Sequence, residues 1–380
     1  MRAAQFQGSR FEPTMLSFEL SEEQQMIRDS VGAFAREQIR PAARLADESG
    51  EIPAALVAQA WQLGLVQGPI PESLGGNGDT RLATTGAIIA EELAWGDLSI
   101  AAHVLAPRLL AFPVLEMGTD EQRQRHLKRF TGADFAAATA ALMEPRWDFD
   151  PAAMTTVARR DGNSFVLNGA KCVVPLAAAS DTVLLWAASA NYDRVDGYLL
   201  ARETPGLSIG EREKNMGLKG LATFEVELKG CQLGPEARLG GEAGADFRRA
   251  MSQSRVAMAA MGVGVAHAAF DYARDYAKER KAFGVPIATK QAVAFMLADM
   301  AIEVDAARLL VWEAAWHLDR GEDAHKESYL ARSYVAASAL KVTDNAVQVL
   351  GGHGYIREHP VEMWLRNARG FSALEGLATV

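Results

Sequence analysis

In the run YAKERKAFGVPI (residues 276–287) Arg280 ends a helix and enters a Phe-Gly-x-Pro loop, three residues before Phe283. That spacing offers a guanidinium to a phosphate and a ring to a base. A basic residue at a helix C-terminus and a core phenylalanine would leave the same pattern. A second stretch, QVLGGHGY (residues 348–355), contains Gly351-Gly352-x-Gly354. Its glycines permit a backbone to approach a flat ligand closely, although such a run also ends helices. Glu375 stands beside Gly376. A partly desolvated carboxylate does general-base work, whereas a solvated one does nothing specific. There is no Gly-x-Ser-x-Gly elbow, His-Glu-x-x-His or Walker lysine loop. The seven histidines are scattered, and His353 and His359 read as loop residues rather than ligands, so no metal site is expected.

The elements that must position these residues follow from composition and period. The 380 residues carry a net charge of −9, with 49% hydrophobic and 23% charged side chains. This disfavours nucleic-acid binding by bulk charge and excludes disorder. Two cysteines make no disulfide framework, which points to the cytoplasm. The richest apolar run, residues 256–270, is interrupted by His267 and two glycines, so no membrane span is expected. Residues 1–15 lack a signal-peptide core and read as a loose leader. Residues 16–135 are rich in helix formers, and Ser21 followed by Gln24 fits a capping box. Residues 136–244 switch to β-branched runs separated by turns, with Phe224, Val226 and Leu228 on one face. From 245 to 380 the helical period returns, with Leu297, Met300, Ala301, Val304, Val311 and Ala315 forming one stripe. No Gly-x-Gly-x-x-Gly follows a strand, which disfavours a Rossmann site.

Taken together, Arg280-x-x-Phe283-Gly284-x-Pro286, Gln291, Leu297-Ala298-Asp299-Met300, Gln348-x-x-Gly351-Gly352-x-Gly354-Tyr355 and Pro360-Val361-Glu362 resemble the acyl-CoA dehydrogenase family, over nearly the whole chain from residue 16 to 377. The resemblance implies an α+β multidomain fold: an N-terminal helical domain, a central β-barrel and a C-terminal four-helix bundle. It implies FAD bound across a subunit boundary in a homodimer or homotetramer. The implied reaction is flavin-dependent α,β-desaturation of an acyl-CoA thioester to a 2,3-enoyl-CoA, with electrons passed to an electron-transfer flavoprotein. In that pattern Glu375 is the base and its backbone N–H donates to the thioester oxygen. Arg255 lies near base and substrate, and Ser254 stands where some members place an alternative glutamate. Arg280, Phe283, Gln291, Gln348, Gly351 and Gly352 match residues that hold the adenosine and pyrophosphate of a neighbouring subunit's FAD.

The flavin-facing half departs from the family. Its Thr-Glu-Pro-x-Ala-Gly-Ser-Asp loop reads Met143-Glu144-Pro145-Arg146-Trp147-Asp148-Phe149-Asp150 here, and its Trp-Ile-Thr stretch reads Val173-Val174-Pro175. The threonine after Glu-Gly is Leu377, and the sequence stops at Val380, short of the family's last helix. Four lost hydrogen bonds at about 1 kcal/mol each would weaken flavin binding by roughly two to three decades. Two expectations follow: a divergent enzyme in which Trp147 and Phe149 supply stacking, or a cofactor-deficient subunit or acyl-CoA binder. The second would lend Arg280 and Gln348 to a flavin held by an intact paralogue in a hetero-oligomer.

Overall fold

Ser21 opens the first helix as its spacing predicts. Its hydroxyl accepts the Gln24 N–H at 3.1 Å, and the Gln24 side chain accepts the Ser21 N–H at 3.0 Å. The computed structural model describes residues 18–380, so the leader expected at 1–15 lies outside the described residues. Helix α1 (Glu22–Phe34) runs through a π-turn (Ala35–Ile39) into α2 (Arg40–Ser49). Pro41 has no N–H to give the ladder, which widens just before it. Then come α3 (Ala54–Trp61), α4 (Ala83–Gly96), α5 (Leu98–Leu105), α6 (Arg108–Met117) and α7 (Asp120–Leu127).

The middle of the chain forms β1 (Thr139–Ala141), β2 (Val157–Asp161), β3 (Ser164–Pro175), β4 (Thr182–Ser189), β5 (Val195–Ala201), β6 (Leu207–Arg212) and β7 (Thr223–Leu233). Gly162, at φ 61°, makes the turn from β2 to β3. All seven strands join one sheet. β1 and β2 share one edge of β4, both parallel to it, and β5 takes the other edge. The sheet ends at β6, and no pairing links β5 to β6 to close a ring. Helices cover one face instead: Leu184, Trp186 and Ala188 pack with Leu109 and Phe112 of α6. The alternate residues Val183, Leu185 and Ala187 fill a core on the other face with Val226 and Leu228. Burial on both faces explains why β4 reads as one apolar run.

The bundle consists of α8 (Phe247–Glu279), α9 (Gln291–Asp319), α10 (His325–Leu350) and α12 (Val361–Ala373), with a short α11 (Gly352–Tyr355). Of the stripe on α9, Met300, Val304, Val311 and Ala315 are buried, while Leu297 and Ala301 lie at its margin. Helix α8 has the length and composition of a membrane-crossing helix, contrary to the expectation from the interrupted apolar run, but 78% of its most apolar window is buried inside the fold. Its small residues let neighbours close in: a Cβ on Gly264 would stand 2.2 Å from the Glu91 carbonyl of α4. As a result α4, α5 and the bundle share one continuous core.

Candidate active site

The chain leaves α12 in extended conformation at Leu374 (φ −99°, ψ 154°) and reaches Glu375. Glu375 is half-buried, and its Oε2 is buried with no hydrogen-bond partner. Its backbone N–H donates to Met143 Sδ at 3.2 Å. The N–H expected to meet a thioester oxygen is thus held by a thioether, a weak acceptor. Gly376 turns the chain at φ +74°, where a Cβ would stand 2.6 Å from Leu142 Cδ2. Beyond it Leu377, Ala378 and Val380 are buried in the large core, so the position of the family's threonine serves packing here.

One arginine meets this segment, and a second lies close enough to interact with the first. Arg255, on α8, is only 8% exposed; its Nε and Nη1 have no partner, and its guanidinium lies 5.3 Å from the Tyr329 ring centroid. Arg332, on α10, is 5% exposed, and its Nη2 donates to the carbonyls of Phe371, Ser372 and Leu374. Burial lowers the pKa of Arg332, Glu375 opposes that shift, and Arg255 adds to it. Sequence reasoning missed Arg332. The signal was a cation set among Ser328, Ala331, Val335 and Ala339, which form the buried stripe of α10.

Beside Gly376 lies a cavity of about 30 Å³, lined chiefly by apolar groups including Leu109, Pro113, Trp186 and Met251, with Ser254 and Thr379 on its wall. The Ser254 hydroxyl is unpartnered. A far larger cavity, about 890 Å³, lies between α1, the loop before α4 and α6, and touches neither Glu375 nor Arg255. Exchanging Met143 for threonine should free the Glu375 N–H. About 1 kcal/mol from one recovered hydrogen bond would tighten acyl-CoA binding roughly fivefold, measurable by calorimetric titration of M143T against the parent.

The loop after β1 is anchored by a buried ion pair. Glu144 takes the Lys171 ammonium at 3.2 Å, the N–H groups of Thr155 and Thr156 at 2.8 and 2.7 Å, and the Thr155 hydroxyl at 2.7 Å. Burial would raise the Glu144 pKa, but Lys171 and these donors outweigh it and hold the carboxyl at about 2. From this anchor Trp147 projects 97% exposed, while Phe149 packs at the margin of the core between α6 and the sheet. Trp147 is therefore the freer of the two rings for stacking. Val173 sits at φ +54° in a bulge of β3, its N–H given to Glu213 Oε1 at 3.1 Å. A β-branched residue in the left-handed region stores strain, here in the stretch expected to face a flavin.

The remaining predicted residues gather elsewhere. Arg280 caps the far end of α8, about seven turns beyond Arg255, or about 37 Å at 1.5 Å per residue. Its loop folds back through β8 (Lys281–Ala282) and β9 (Val285–Pro286) and lifts Phe283 out, 96% exposed. Gln291, Gln348, Gly351 and Gly352 are exposed as well, and a Cβ at either glycine would meet nothing within 4 Å. His353 lies in α11 rather than in a loop. It stacks on His359 with centroids 5.2 Å apart, and each Nδ1 is bonded to a tyrosine hydroxyl, His353 to Tyr276 and His359 to Tyr272. Glu362 has a structural role, pairing with Arg44 of α2 and with Arg366. The structure thus sets Glu375 and Arg255 each within electrostatic reach of Arg332 and leaves the Arg280 set on an open surface at the other end of α8.

Three matches to known families cover the chain: residues 21–134 match the acyl-CoA dehydrogenase N-terminal domain, 139–231 the middle domain and 245–380 the C-terminal domain. A probable acyl-CoA dehydrogenase of Bacillus subtilis, YngJ, is 35% identical over 96% of this chain and 97% of its own length. The mitochondrial short-chain specific acyl-CoA dehydrogenase of Bos taurus is 35% identical over 96% of this chain and 89% of its own. Among solved structures, butyryl-CoA dehydrogenase from Megasphaera elsdenii superposes with a TM-score of 0.85 at 27% identity, covering 96% of each chain.

Proposed function

Because the chain belongs to the acyl-CoA dehydrogenase family, we propose that it desaturates an acyl-CoA thioester between Cα and Cβ, with Glu375 as the base. One observation carries this reading: a glutamate oxygen kept from water and left without a hydrogen-bond partner, one residue before Gly376 on the wall of an apolar cavity. Buried polar atoms are normally satisfied, and an exception of this kind suits a group whose partner arrives with the substrate. Glu375 takes the α-proton. The thioester oxygen gains negative character as the proton leaves, and the Glu375 N–H is the donor set to receive it once Met143 yields. Arg255, with two unpartnered N–H groups, offers further charge to the substrate.

FAD, when bound, supplies the hydride acceptor for the β-carbon. Its adenosine and pyrophosphate fit the exposed Arg280, Phe283, Gln291, Gln348, Gly351 and Gly352, where the open space over the two glycines admits a close ligand. A single dinucleotide is shorter than the roughly 37 Å between that surface and Arg255. The two sets therefore serve different cofactor molecules, and a complete site takes two copies of the chain. The names of the relatives support a short acyl substrate. An electron-transfer flavoprotein fits as the acceptor.

The test is the visible spectrum of the purified chain with and without added FAD, followed by anaerobic addition of butyryl-, octanoyl- and palmitoyl-CoA. The expected result is a yellow protein bleached fastest by butyryl-CoA. Met143 and Phe149, which stand in place of hydroxyl groups in the flavin-facing loop, favour a second reading: a subunit that lends its Arg280 set to the flavin of an intact paralogue. A colourless chain that takes up no FAD selects that second reading.

A further inference from the structure

Helix α12 ends without the usual device. The last carbonyls of a helix have no intrahelical partner, and a left-handed glycine commonly turns the chain so that they find one. Here Leu374 is extended, and a side chain from another helix takes over: Arg332 Nη2 donates to Phe371 O at 2.7 Å, Ser372 O at 3.3 Å and Leu374 O at 2.7 Å. The third of these bonds bears on the proposed chemistry. The Leu374 carbonyl and the Glu375 N–H belong to one planar peptide unit. Its oxygen edge is held by Arg332 and its N–H edge by Met143 Sδ. Rotation of that plane would swing the Glu375 Cα–Cβ bond and displace the carboxylate.

We propose that Arg332 is a positioning residue for the base, pinning the Leu374–Glu375 peptide so that the Glu375 carboxylate keeps its place next to the Gly376 turn. The proposal rests on the reading of Glu375 as the base. The Arg332 Nη2 is given to three carbonyls and its Nε remains unpartnered. Arginine suits the task because its planar fork is rigid and always charged, whereas a lysine ammonium reaches one place as a point charge.

The test compares Arg332→Met, Arg332→Gln and Arg332→Lys with the parent by two measurements. Hydrogen–deuterium exchange reads the clamp without any catalysis. Loss of the guanidinium should speed exchange at residues 374–376 by about tenfold while the middle of α10 stays protected. Stopped-flow flavin reduction, expressed per bound flavin, reads the chemistry. A displacement near 1 Å costs about a hundredfold, so the Met and Gln variants should lose about that factor in rate while acyl-CoA affinity changes less than about threefold. Lys should recover about tenfold of the loss. A variant with parental exchange at 374–376 overturns the proposal, and so does one that melts earlier yet reduces each bound flavin at the parental rate. If Met does not fold, Gln, which keeps a donor, carries the comparison. If no acyl-CoA bleaches the parent, the desaturation reading fails, while the exchange result still decides whether Arg332 holds this segment.

Discussion

Replacing Glu375 with glutamine should leave the protein yellow and able to bind acyl-CoA, yet stop acyl-CoA from bleaching it. Glutamine keeps the size of the side chain, the Gly376 turn and the backbone N–H directed at Met143, so folding and substrate contacts are preserved. It removes the one feature the reaction needs, a carboxylate able to accept the α-proton. Removing a positioned general base costs about 10²–10⁴ in rate. The upper end applies here because no substitute stands ready. The position where some family members carry an alternative glutamate is Ser254, and Glu116, which bonds the neighbouring Gln253, is already committed to Arg81 and Arg249. Stopped-flow absorbance of E375Q with butyryl-CoA is the measurement. Bleaching at the parental rate would exclude Glu375 as the base.

Lys171→Met should be the most damaging single change outside the site. Both charges of the Glu144–Lys171 pair are buried, and removal of one partner leaves the other uncompensated in the interior. Such losses run to about 3–5 kcal/mol. The double variant with Glu144→Gln should regain part of this by removing the stranded charge, although the amide cannot accept every bond that Glu144 takes from Thr155 and Thr156. Denaturant melts of the parent and the two variants give the comparison. The pH dependence has a definite sign. The Glu144 carboxyl sits at about 2 in the folded protein, against 4.5 as its ordinary value. Its contribution is therefore complete above about 4.5 and is lost as the pH falls toward 2, because the unfolded chain then binds the proton that the folded one refuses. K171M should show a weaker loss of stability over that acid window than the parent.

Much of the fold was legible because the apolar period changes along the chain. Ser21 and Gln24 announced the first helix, Phe224, Val226 and Leu228 announced a strand, and Met300 to Ala315 a bundle helix. Burial of α8 was less legible, since a core helix shared by two layers and a membrane helix have the same composition. Glu375 and the Arg280 set could be put forward as candidates because their neighbours in sequence form a pattern. Arg332 and the sulfur of Met143 could not, since they act on the Leu374–Glu375 peptide from 42 and 232 residues away. Contacts of that range arise from how α10, α12 and the sheet pack, and no local spacing encodes them. Exposure of Phe283 and Gln348 was likewise unreadable, because period alone does not say which side chains a loop or helix end lifts into solvent.

The core that α4 and α5 share with α8 sets a schedule for synthesis on the ribosome. The apolar faces of those two helices are finished about 150 residues before their main partner emerges, an interval of roughly 8–30 s at 5–20 residues per second. During that time the sheet can form with α6 and α7, whose core draws only a few side chains from later in the chain. The nascent amino-terminal helices meanwhile present uncovered apolar surface, the kind of exposure that makes folding intermediates prone to aggregate.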